Sequence, residues 1–166
     1  MKRFAFYGVV LLQVLFLAGM SVSYYAMDAF GQTIKLETAP VDPRDIFYGD
    51  YVILNYEIEM IEEKKWSGEI PEYGEAVYVL LEESENGLFQ VVDASCDKME
   101  TKADQVRLKG KYQWHNEGQS VHQVTYGINR YYVEENTGKQ YEQQREEMVV
   151  EVVVAPWGQK KIVSLE

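Results

Sequence analysis

Between Phe4 and Tyr25 the chain carries no charged residue, and this run constrains everything that follows it. At a helical rise of about 1.5 Å per residue the segment reaches roughly 33 Å, close to the roughly 30 Å hydrocarbon core of a bilayer. A single membrane-spanning helix in contact with lipid through residues 4–25 is therefore expected. Lys2 and Arg3 precede the run and Asp28 is the first charge after it, so the bias of basic residues toward the cytoplasm predicts an inside N-terminus and an outside C-terminal portion. Cleavage as a signal peptide is the rival, because Ser21-Val22-Ser23 places small residues where a signal peptidase inspects. The run exceeds the 7–15 residues usual for a signal h-region, and Tyr24 and Tyr25 at its outer end suit a membrane interface, which favours a retained anchor. Gln13 lies mid-span, where a glutamine contacts a partner helix or is merely tolerated.

The expected organisation is an anchor over residues 1–27 and an outer domain over 28–166. With Lys2 and Arg3 assigned to the anchor, 14 of the 16 basic residues remain against 27 acidic ones, a formal outer charge of −13. Such a surface repels phosphate backbones and anionic lipid, so nucleic acid is not an expected partner; cationic ligands, metal ions or basic protein surfaces are compatible with it, and solubility is the simpler reading of the acidic excess. Cys96 is the only cysteine, so the outer domain forms no intrachain disulfide and its core must hold it together.

The pattern then changes from helical to strand period. Thr33–Ala39 alternates with Ile34 and Leu36 inward before Pro40 and Pro43 force a bend. Val52, Leu54, Tyr56 and Ile58 alternate with Ile53, Asn55, Glu57 and Glu59, which predicts one strand over 51–60. Glu75–Glu82 and Leu88–Val92 read as a hairpin across Asn86-Gly87, and Gln105–Trp114 with Ser120–Tyr126 as a second across His115–Gly118. Asn136–Met148, rich in Glu and Gln, is expected to form a short helix, and Met148–Val154 and Lys160–Leu165 to close the chain as strands around Pro156-Trp157-Gly158. The predicted fold is mainly β (α+β): one N-terminal transmembrane helix, then an antiparallel β domain with one short helix and no parallel crossovers.

The sequence Gly49-Asp50-Tyr51-Val52-Ile53-Leu54-Asn55-Tyr56 resembles the motif that names the GDYXXLXY family of bacterial membrane-anchored proteins, with all five named positions present. Val41-Asp42-Pro43-Arg44-Asp45 is similar to that family's lead-in. Tyr126-Gly127-Ile128-Asn129-Arg130-Tyr131-Tyr132-Val133, through Gly138 and Glu142, resembles its second block, with a departure at Glu134-Glu135 where a proline is usual. The resemblance implies residence in a bacterial cytoplasmic membrane, an outer β-rich domain, and association with a multi-spanning membrane protein. It implies no established activity.

Three readings of the motif region are open. In the structural one, Gly49 turns the chain, Asp50 bonds backbone N–H groups at the strand entrance, and Arg44 or Arg130 pairs with Asp45 or Asp50. In the second, Asp42, Arg44, Asp45, Gly49, Asp50, Tyr51, Leu54, Tyr56, Tyr126, Gly127, Arg130 and Tyr131 maintain or present a surface for a ligand or partner. In the third, Asp45 and Asp50 act as paired carboxylates of an outer-face hydrolase for glycan or peptide, with Arg130 orienting the substrate. Tyr51 and Tyr56 are an odd number of positions apart and fall on opposite strand faces, Tyr56 on the core side. A serine–lysine peptidase is not expected, because no serine lies between Ser23 and Ser67. His115, His122 and Cys96 match no metal-ligand spacing, and both histidines are expected at a turn or on a strand surface. The leading expectation is a non-catalytic binding or assembly module without a cofactor or metal.

Overall fold

The computed structural model describes residues 2–39, 51–132 and 148–165. Helix α1 spans Lys2–Phe30, beyond the end of the uncharged run, and only Gly31 separates it from the first strand, β1 (Gln32–Ala39). The helix therefore runs almost directly into the β domain. Gly31 permits this junction because a methyl group there would overlap the Val153 side chain and lie 2.5 Å from the Met27 carbonyl oxygen.

The remaining strands are β2 (Tyr51–Ile53), β3 (Asn55–Tyr56), β4 (Met60–Glu62), β5 (Trp66–Ser67), β6 (Ala76–Glu83), β7 (Phe89–Ser95), β8 (Gln105–Asn116), β9 (Val121–Thr125), β10 (Arg130–Tyr132), β11 (Met148–Val154) and β12 (Lys160–Leu165). They form a six-stranded sheet in the order β4-β9-β8-β6-β7-β5, a four-stranded sheet β12-β11-β1-β3, and the pair β10-β2. One hydrophobic cluster joins the two larger sheets. Ile34, Leu36, Val150 and Val152 from the smaller meet Val79, Leu81, Leu108 and Val124 from the larger, all essentially sealed from solvent. Each such aliphatic side chain contributes about 1.5–3 kcal/mol by leaving water.

The alternation read from β1, β6, β8, β9, β11 and β12 matches the buried faces of the first five, and β12 is a half-buried edge. Four expectations need correction. The single strand over 51–60 is broken into β2, β3, a 3-10 turn over Glu57–Glu59, and β4. Periodicity missed the break because Ile58 stays inward through the turn. Among the described residues the antiparallel fold contains one short parallel pair, Trp66 with Ala94 and Ser67 with Ser95. β8 extends through His115 to Asn116, so the turn begins later than expected. His122, expected at the surface, is buried. Of the expected helix over 136–148, residues 136–147 lie outside the described residues and Met148 opens β11.

The consecutive valines of β11 face two ways. Val152 and Val154 enter the main cluster, while Val153 packs with Ala155 against Met27 of α1. Two further ties hold the helix to the domain. Ser23 Oγ donates to Gln159 Oε1 at 2.6 Å, and Lys161 Nζ lies 2.7 Å from Asp28 Oδ1 and 4.4 Å above the Tyr24 ring. The apolar surface of α1 before Ser23 is covered by no other described residue.

Candidate functional site

The described parts of the two motif blocks, residues 51–56 and 126–132, lie side by side although Tyr56 and Tyr126 are seventy positions apart. β2 and β10 pair antiparallel with Ile53 opposite Arg130, Val52 opposite Tyr131 and Tyr51 opposite Tyr132. Leu54 N–H then donates to the Asn129 carbonyl at 3.0 Å. Beyond this ladder two tyrosines cross over. Tyr56 Oη donates to the Ile128 carbonyl at 2.8 Å, and Tyr126 Oη donates to the Ile58 carbonyl at 2.7 Å. Each ring is buried in the core and each hydroxyl satisfies a carbonyl in the irregular segment following the other tyrosine. Gly127, at φ +72°, makes the turn that brings Ile128 within reach. Gly110 on β8 permits close packing beside the second ring, since a Cβ there would overlap the Val124 side chain and sit 3.2 Å from the Tyr126 ring.

The 3-10 turn after Tyr56 also rotates Glu59 inward. Its residue is 6% exposed, and burial pushes its carboxyl up to about 7, partly opposed by the Tyr56 backbone N–H that bonds it. Burial and the Glu59 charge raise both phenols, Tyr56 and Tyr126. Glu59 lines an open pocket of about 490 Å³ with Asn55, Tyr56, Glu57, Met60 and Gln123. Glu57 and Met60 also border a second depression of about 220 Å³ that holds Glu37, Glu62 and Lys65. The surface beside the motif is therefore predominantly acidic. It suits a cationic group or a basic protein face.

Of the predicted site residues, Leu54, Tyr56 and Tyr126 are core, Tyr131 packs half-buried against that core, Gly127 is the turn, and Arg130 is exposed on β10 opposite Ile53. Tyr51 contributes backbone pairing to Tyr132. Asp42, Arg44, Asp45, Gly49 and Asp50 lie outside the described residues, and with them the paired-carboxylate reading. Glu59 was missed because an uninterrupted strand would have placed it outward with Asn55 and Glu57.

A family model described as GDYXXLXY protein matches residues 13–165 and takes in both interlocked blocks. The chain belongs to the GDYXXLXY family. No match was found among curated proteins or among solved structures. In this GDYXXLXY protein the second half of the motif, from Leu54 to Tyr56, is thus a structural lock that joins the two conspicuous stretches.

The histidines occupy a separate cluster. His115 and His122 are opposite each other in the β8–β9 ladder and their rings stack with centroids 4.3 Å apart. Trp66 lies 4.5 Å from His122 on a tilted plane, and Tyr112 Oη is 3.1 Å from His122 Nδ1. Burial, and then neighbouring His115, push the His122 imidazole below its usual range. Its parity with Val124 and Tyr126 along β9 was the available signal. Cys96 donates to the Glu69 carbonyl at 3.4 Å, and burial followed by Glu75, Asp97 and Glu69 raises its thiol. Among the described residues, no three His, Cys, Asp or Glu side chains converge in a way that would hold a metal ion.

Proposed function

We propose that this GDYXXLXY protein is a single-pass, membrane-anchored module whose β domain lies outside the bacterial cytoplasmic membrane and associates with another envelope component, a multi-spanning membrane protein in the first instance. The observation that carries this reading is the mounting of the domain. α1 enters β1 through one glycine and is held from the side by Met27 against Val153 and Ala155, by Ser23 on Gln159 and by Asp28 on Lys161. A tethered enzyme or scavenging receptor gains from a long flexible linker, which widens its reach. A stiff mount instead fixes height and orientation, and so presents one face repeatedly to a neighbour anchored in the same bilayer. The uncovered apolar surface of α1 and the acidic face beside the motif are the two surfaces such a neighbour would meet, one in lipid and one in water.

The test is extraction of tagged full-length protein in a mild detergent, alongside a variant with a flexible glycine–serine insertion after Phe30 and an Asp50→Asn variant. A stoichiometric membrane partner that is retained by the native chain and lost on insertion supports a mounted assembly module. Loss in Asp50→Asn as well would carry the motif into the interface. A partner-free chain from native membranes would overturn the proposal.

A further inference from the structure

The β11–β12 turn sits unusually low against the anchor for a part of the outer domain. Trp157 Nε1 donates to Gln159 Oε1 at 2.7 Å, and the same oxygen accepts the Ser23 hydroxyl of α1 at 2.6 Å. Ser23 lies within the uncharged run, two residues before the interfacial Tyr25, or about 3 Å along the helix axis. Where α1 crosses a bilayer, the hydrocarbon boundary falls near Tyr25, and the headgroup layer occupies about 5–7 Å beyond it, since a bilayer of roughly 40–45 Å contains a core of roughly 30 Å. Phe30, where the helix ends, is about 7.5 Å past Tyr25 and so near the top of that layer. The Gln159 amide that touches Ser23 is therefore within about 3 Å of that boundary, on its core side, and ties the turn to the helix there.

The chemistry of the turn fits that depth. Pro156 is exposed, Trp157 is 46% exposed despite its size, and neighbouring Tyr24 and Tyr25 on α1 are 52% and 72% exposed. Tryptophan and tyrosine collect at the membrane interface because their rings are apolar and their N–H or O–H groups are polar. In a chain with 27 acidic residues, Ala155–Leu165 contains none. Its two lysines do not add a free cationic patch. Lys161 is paired with Asp28, and Lys160 turns back so that its Nζ donates to the Lys109 carbonyl at 2.6 Å.

We propose that the Pro156-Trp157-Gly158 turn is a second membrane contact, a foot whose indole rests at the boundary between lipid headgroups and acyl chains beside α1. Together with the helix it gives the domain two points of support on the bilayer, which determine its tilt as well as its height. The occupant is the lipid itself, recognised by an aromatic ring and not by charge, so the contact forms on a zwitterionic surface and is insensitive to salt. This inference rests on the reading of α1 as a bilayer-spanning helix.

The test reconstitutes the full chain into phosphatidylcholine vesicles carrying bromine either high or low on the acyl chain, with Trp157→Phe and Trp157→Tyr as subtractions for Trp66 and Trp114. Flotation of the vesicles reports on the anchor, and bromine quenching of tryptophan emission reports on the foot. The expected result is co-flotation of all three chains, a native emission component that both variants lack, and a larger loss of that component with bromine near the headgroup, unchanged by added salt. Co-flotation with identical quenching of native chain and variants would overturn the foot while leaving the anchor standing. Failure to co-float would overturn the anchor and the foot with it.

Discussion

Glu59 gives the site a pH dependence whose sign follows from its burial. The carboxyl has an ordinary value of 4.5 and is raised to about 7 in the folded chain, so between these values the native state binds a proton that the unfolded chain has released. Stability is then greatest below about 4.5 as far as this group is concerned, and it falls as the pH rises through about 7. At about 1.4 kcal/mol for each tenfold change, the full difference corresponds to about 3 kcal/mol. The open pocket at Glu59 lets water screen part of this charge and leaves roughly 2 kcal/mol. Glu59→Gln keeps the shape and a hydrogen-bond acceptor for the Tyr56 N–H while removing the titration. Urea unfolding of full-length native protein and variant in the same detergent, followed by tryptophan emission at about pH 4 and about pH 8, isolates the difference. The variant is expected to match the native chain at the lower pH and to exceed it by roughly 2 kcal/mol at the higher. Parallel pH profiles for the two chains would refute the reasoning and place the carboxyl in water.

The crossed tyrosines, the helix junction and the orientation of the domain can be examined in the same way. Tyr56→Phe and Tyr126→Phe each leave a carbonyl without its phenol, and each is expected to destabilise by about 1–2 kcal/mol. The double variant should depart from additivity by about 0.5 kcal/mol or more in a urea double-mutant cycle, because both bonds close the same joint. Gly31→Ala forces a methyl group against Val153 and the Met27 carbonyl, and is expected to lower stability by about 1–3 kcal/mol and to open the helix–domain junction to protease. In a Cys96→Ser background, Glu85→Cys in the exposed β6–β7 turn should react with a membrane-impermeant maleimide on intact cells. Reaction only after permeabilisation would reverse the orientation drawn from Lys2 and Arg3.

Hydrophobic alternation made most of the strands legible, since Ile34 and Leu36, or Val150 and Val152, sit at period two and face one core. It could not reveal the 3-10 turn at Glu57–Glu59, because three residues of tighter winding return the chain with Ile58 still inward and only Glu59 betrays the rotation. His122 was lost for a related reason. A polarity pattern counts imidazole as a surface group, although its neighbours of the same parity are buried and its nitrogen has a phenol for a partner. Proximity of the two motif blocks was beyond any local pattern, as it depends on a β2–β10 pairing of only three residues and on side-chain bonds that jump from one segment to the other. The run of valines ending at Val154 did carry a trace of the docking of α1. Val153, on the face of β11 away from the main core, needs a covering of its own, and the helix supplies it through Met27.

The claim on which the account turns is that the β domain is a stiff extension of its anchor. The most direct measurement is the distribution of distances between spin labels at Leu12→Cys on α1 and Glu85→Cys on the domain, in the Cys96→Ser full-length chain reconstituted in bilayer nanodiscs. A single narrow distribution, broadened by a flexible insertion after Phe30, is the predicted result. A broad distribution in the native chain, unaltered by the insertion, would contradict the account and leave the domain a tethered one.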